Sequence, residues 1–334
     1  MRTTVLASMR NEGAFLVEWV AWYRMLGFAN VAVVTNDCTD HSPELLDALA
    51  AAGWLHHLRH DVPKGARITR AKLAAAMQMW VVRRAEWLLI CDVDEFLVIH
   101  RGKGLLRDLL DTSKDPAYVG MSINWRVFGT SGIKAYQDRP VHRQFVYACP
   151  RKDYISRFVK SIFHMPRRFG KLTEHTPYNI NLKYFGKAWG DPGMVWVNSE
   201  GRHITGWRPM KGHMTVLPPS HVSHKVAQIN HYALRSAETF SLKAGTLSPV
   251  ALSDRYTKKY FDAAEAGTEV DTSAFRYADA FEAEYARAMA LPDVARLHAL
   301  CCADHIRAIV EKAGKRAEDD PRYQDFIEQA AKLA

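Results

Sequence analysis

Apolar positions in the first 130 residues follow two rhythms. Short runs at "TTVLAS" (3 to 8), "NVAVVTN" (30 to 36), "WLHHLR" (54 to 59) and "WLLICDVDEF" (87 to 96) have the length and β-branched content of buried strands. Between them lie stretches with a three-to-four-residue spacing. In residues 13 to 28, Phe15, Leu16, Trp19, Val20, Tyr23 and Leu26 share one helical face. Residues 42 to 53 begin with Ser42 as N-cap and Pro43 at the first helical position, and Gly53 closes them. Residues 68 to 85 read as another long helix. Strand and helix in alternation predict right-handed crossovers and a Rossmann-like α/β fold, a mostly parallel sheet flanked by helices.

One more strand is predicted at 118 to 129, followed by a loosely patterned region, rich in Arg, His, Gly and Pro, to about residue 225. Loops of that length usually carry function. From 274 to 334 the pattern is helical, clearest in "AFEAEYARAMA". The chain therefore divides into 1–130, a binding half; 131–250, a second half of the same domain; and 251–334, a C-terminal helical extension.

In a parallel sheet, ligands sit beyond the carboxyl ends of the strands. Those ends carry Ser8 to Glu12, Asn36 to Asp40, and Asp92, Asp94 and Glu95. The last group is the strongest chemical signal in the chain. Three acids stand between the apolar runs "WLLI" and "FLVI", and buried like charges are strongly unfavourable unless a cation neutralises them. A hard divalent ion, Mn²⁺ or Mg²⁺, with substrate phosphates completing its shell, meets that need.

Composition narrows the partners. Lys plus Arg outnumber Asp plus Glu by 45 to 36, which favours an anionic ligand. The five cysteines show no C-x-x-C spacing, so they read as reduced thiols of a cytoplasmic protein, without a zinc knuckle or disulfide framework. The N-terminus lacks the apolar core of a signal peptide. No uncharged apolar run approaches the roughly 18 residues that span a bilayer, so any membrane role is peripheral.

A strand ending in D-x-D occurs in two enzyme classes. Phosphohydrolases of the haloacid-dehalogenase type use the first Asp, here Asp92, as nucleophile, but Phe96 stands where their Thr or Val belongs and the motif comes late. A non-catalytic polyanion binder would use the basic excess, yet its ligand would be repelled by this cluster; nucleic acid is not expected. The other enzyme class is the GT-A glycosyltransferases. The blocks "SMRNEGAFLVEWVAWYRMLGFANVAVVTNDCTDHSPELLDAL", "EWLLICDVDEFL", "SINWRVFGTSG" and "INHYALRSAETF" resemble, in order, those of bacterial family-2-like glycosyltransferases related to family 92.

That resemblance implies a GT-A fold and a metal-dependent transfer, with inversion, from a nucleotide-sugar donor carried by uridine diphosphate. The implied acceptor is a glycan, polysaccharide or glycolipid hydroxyl, assembled at the cytoplasmic face of the membrane. Arg10, Asn11 and Glu12 with Asn36 and Asp37 fall at the base and ribose pocket. Asp37 can accept from a ribose hydroxyl or a base N–H, and Arg10 can meet phosphate. Arg70 and Lys72, near a helix start, suit a diphosphate. Asp94 is the first choice for metal contact and Asp92 the second, with Glu95 orienting the shell and His231 as a further ligand. Asn124 and Trp125 fall beside donor sugar and acceptor. Glu174, ahead of Asp153, is the expected general base. The segment 167 to 213, which matches no block of the family, is expected to form an acceptor-side lid.

Overall fold

The computed structural model describes residues 1–111, 113, 116–184, 186–210, 212–246 and 256–334. The expected boundary at 250/251, and Phe185 and Lys211 of the expected lid, lie outside the described residues.

The strands in chain order are β1 (Thr3–Met9), β2 (Asn30–Thr35), β3 (His56–Arg59), β4 (Trp87–Ile90), β5 (Glu95–Ile99), β6 (Gly120–Val127), β7 (Tyr147–Ala148), β8 (Val159–His164), β9 (Phe169–Lys171), β10 (Tyr178–Ile180), β11 (Trp196–Asn198), β12 (Ala227–His231) and β13 (Glu269–Val270). The main sheet runs β3-β2-β1-β4-β8-β6-β12-β5, with β11 beside β6. Five of its pairings are parallel and three antiparallel, so the sheet is mostly parallel, as the sequence pattern predicts. Its first half, β3 to β4, is the alternating strand and helix unit. There β4 and all of β1 but Ser8 are buried because helices cover both faces.

Three readings change. The predicted strand 87 to 96 is two strands, with Cys91 to Asp94 as the turn between β4 and β5. The predicted helix 68 to 85 is two helices, Ile68–Ala76 and Trp80–Arg83, broken around Met77 to Met79. The loosely patterned region contains β8, which lies buried between β4 and β6 at the centre of the sheet. Lys160 and Ser161 interrupt the apolar run of "VKSIFH", and so hid it.

The helix Gly13–Met25 is buried on every side from Gly13 to Tyr23, beyond the single apolar face its spacing gives. Its outer surface is covered by the C-terminal helices Ala278–Met289 and Val294–Lys312. The helical extension therefore closes the main core. A second tie joins β6 to β13: Arg126, fully buried, pairs through Nε with Asp271 at 2.8 Å and through Nη2 with Glu269 at 2.9 Å.

Candidate active site

A cavity of about 790 Å³ opens at the carboxyl ends of β1, β2 and β4, within the range that holds nucleotide-sized ligands. Its walls include Arg10, Asn11, Glu12, Asn36, Lys72, Asp92, Asp94, Trp125, Glu174 and His231. Ten of the residues singled out in the sequence thus meet around one space. Asp37, Arg70, Glu95, Asn124 and Asp153 are not among its walls.

The five others have local explanations. Arg70 lies on the exposed face of its helix. Asp37 is exposed and accepts from Asn36 Nδ2 at 2.8 Å. Asn124 spends its amide on the chain, donating to the carbonyls of Ser156 and Arg157 and accepting from the Ser223 N–H. Asp153 takes the Ser156 N–H on its carbonyl at a turn. Glu95 sits directly behind the cavity, fully buried, and its Oε2 accepts from the Asp92 N–H at 2.9 Å.

The acidic turn is held by lysines. Lys160, 1 % exposed, places Nζ 2.8 Å from Asp92 Oδ2 and 3.0 Å from Glu95 Oε2. Lys243 places Nζ 2.9 Å from Asp94 Oδ2 and also donates to the Ala233 carbonyl. Burial opposes ionisation of both aspartates. Lys160 at Asp92, and Lys243 with His231 at Asp94, more than offset it, so both stay below the ordinary carboxylate range. Burial lifts Glu95 to about 8 despite Lys160, with the two aspartates adding to the rise. At neutral pH the turn therefore carries two negative charges and one proton, matched by two ammonium groups. The cation demanded by the buried acids is in the first place a pair of lysines.

Room for a divalent ion depends on the atoms they leave. His231 Nε2 lies 3.6 Å from Asp94 Oδ1, too far for a hydrogen bond and close enough for both to reach one cation at about 2.0 to 2.3 Å. Burial pulls His231 down to about 4, keeping its imidazole neutral as a ligand must be. Asp94 and His231 are placed to hold a Mn²⁺ or Mg²⁺ ion between them. Asp92 Oδ2 is committed to Lys160.

Around this centre the cavity is cationic. Lys72 donates to the Met9 carbonyl at 3.2 Å, and burial draws it down to about 8. Arg235, 2 % exposed, bonds Glu12 Oε2 at 2.6 Å and lies 3.5 Å over the Phe15 ring, while its Nε and Nη2 have no partner among the described residues. Asn11 and Arg235 both hold positive φ, 54° and 53°, a conformation non-glycine residues adopt at a cost and retain mostly at functional sites. Asn11 exchanges two hydrogen bonds with Thr39, locking the end of β1 to the loop after β2. Trp125 stacks on Phe158 at 5.1 Å and touches the His231 ring at 4.2 Å, so its exposed edge is small.

Lys160, Arg235 and Lys243 were not singled out in the sequence, nor were Asp304, His305 and Arg307 of the C-terminal helix, which close the cavity from the far side. The sequence signal for Lys160 is a lysine inside an apolar run.

The family model for glycosyltransferase family 92 matches residues 6–188. No curated protein sequence matches the chain. Among solved structures, Staphylococcus aureus TarS 1–349 in complex with UDP is 12% identical, covering 100% of this chain and 92% of that one at a TM-score of 0.35. The same protein with UDP-GlcNAc is 13% identical, covering 99% and 92% at 0.33. A putative glucose-1-phosphate thymidylyltransferase from Bacillus anthracis is 8% identical, covering 49% and 71% at 0.29.

Proposed function

Given that the chain belongs to glycosyltransferase family 92, we propose that it is a GT-A enzyme that moves a sugar, with inversion, from a uridine-diphosphate donor to a hydroxyl of a glycan or glycolipid. The observation that carries this reading is the meeting of the Asp92–Glu95 turn with Lys72, Arg235 and Lys243 around one cavity at the strand ends. Paired carboxylates ringed by cations suit a diphosphate better than a single-sign patch does.

In this reading the base and ribose lie against Asn11 and Asn36, whose Oδ1 is buried without a partner among the described residues. An acceptor oxygen there would take a base N–H. A divalent cation held by Asp94 and His231 would stabilise the departing diphosphate. Lys72 and Arg235 add fixed positive charge where negative charge develops. Lys160 and Glu95 fix the turn so that the Asp94 carboxylate keeps its direction.

Glu174, on the cavity wall beside His175, is the residue we assign as general base toward the acceptor hydroxyl, with 167 to 213 as the acceptor-side lid. Glu174→Gln should lower kcat by about 10²- to 10⁴-fold and leave donor binding unchanged. Donor turnover at the wild-type rate in that variant would remove Glu174 from the mechanism.

A further inference from the structure

Away from the cavity, three metal-ligating side chains converge: Asp138, His298 and Cys302 each offer an atom within 4.8 Å of the others. His298 and Cys302 stand four residues apart on the helix Val294–Lys312, so they share one face of it. The His298 Nε2 atom is 3.1 and 3.2 Å from the two Asp138 oxygens, and 3.6 Å from Cys302 Sγ. Ligand atoms at about 2.0 to 2.3 Å from a tetrahedral ion lie about 3.3 to 3.8 Å apart, close to the His298 separations, and Asp138 and Cys302 offer atoms within 4.8 Å of each other. The Tyr136 hydroxyl donates to Cys302 Sγ at 3.3 Å, support that a thiolate would use. His298 and Cys302 are buried, 4 % and 0 % exposed, while the Asp138 side chain is 34 % exposed and gives a path to solvent.

We propose that Asp138, His298 and Cys302 bind one zinc ion. A thiolate, an imidazole and a carboxylate form a borderline donor set that selects zinc over the hard cations expected in the cavity. Burial favours a neutral His298, but Cys302, Tyr285 and Asp138 more than offset it and hold the imidazole above its ordinary range. Binding therefore releases a proton from the imidazole as well as from the thiol, and the fourth position is left to water on the Asp138 side. No C-x-x-C spacing signals the site, because its third ligand is 160 residues from His298 in the chain. The ion ties the segment around Tyr136 to the helix that presents Asp304, His305 and Arg307 to the cavity. It would therefore stiffen the far wall without touching substrate.

The test is metal analysis of untagged protein, followed by cobalt substitution. One zinc per chain and a thiolate-to-cobalt charge-transfer band are expected, both lost in Cys302→Ser and both retained in Asp94→Ala, which separates this site from any cation in the cavity. Asp138→Asn, a change at the exposed ligand, covers the case in which Cys302→Ser does not fold; it should weaken cobalt binding more than about tenfold. A protein that holds no zinc and shows no charge-transfer band when titrated with cobalt, or one whose band survives in Cys302→Ser, overturns the assignment.

Discussion

Lys160 changes the meaning of the acidic turn. Without it, three carboxyl groups at the end of a buried strand demand a bound metal; with it, the Asp92 carboxylate has a counter-ion at 2.8 Å and the protonated Glu95 a hydrogen-bond donor at 3.0 Å. Lys160 is buried but the Asp92 side chain is 45 % exposed, so losing the lysine leaves a half-solvated carboxylate without its charged hydrogen-bond donor. Lys160→Met should therefore lower folding stability by about 1.5 to 3 kcal/mol, read as a drop in the denaturation midpoint, whereas a loss under 1 kcal/mol would show that water already screens the turn. Lys72 offers a test through pH. Its folded value of about 8 lies below the ordinary lysine value, so it is charged below about pH 8 and loses that charge as pH rises. Donor binding to the free enzyme should weaken as pH is raised through 8, and Lys72→Met should lack that limb of the profile. Of these side chains, the acids could be read from the sequence because no buried strand end tolerates them by accident. Lys160 could not, since one lysine in a short apolar run looks like the end of the run.

At the scale of elements, what the sequence made plain were those with a single dominant pattern. The strands β1, β2 and β4 and the helices at 13 to 25 and 42 to 51 emerge near their predicted positions, because apolar runs mark them locally; the expected N-cap Ser42 is instead the first helical residue, and His41 caps without a side-chain hydrogen bond. The central strand β8 and the short β11 and β13 depend on partners far away in the chain, so no local pattern announces them. The same remoteness hides the tie between β6 and β13. Burial opposes ionisation of Asp271, and hydrogen bonds from Ser273, Arg126 and Gln228 more than offset it, leaving its carboxyl well below the ordinary range. A depressed carboxyl contributes stability above its ordinary value of about 3.9, and that contribution is lost as pH falls below it. Asp271→Asn should be less stable than the parent by about 1.5 to 3 kcal/mol at pH 7, and the gap should narrow in denaturation curves taken below about pH 4. A constant gap across that range would mean that the charge of Asp271 contributes nothing.

For the molecule as a whole, the site joins regions that sequence order keeps apart. The acidic turn comes from the first 100 residues, Lys160 and Glu174 from the middle, His231 to Lys243 from the sheet's other half, and Asp304 to Arg307 from the C-terminal helix. No described helix is long and apolar enough to cross a membrane. The central claim is that this cavity binds the nucleotide of a sugar donor, and the most direct measurement is a thermal-shift titration with UDP, GDP, dTDP and CDP, each with and without Mn²⁺. A ligand that binds only the native state raises the midpoint by linkage. The account predicts a rise with UDP that requires Mn²⁺ and disappears in Asp94→Ala; the absence of a shift with any of the four nucleotides, metal present or not, would contradict it.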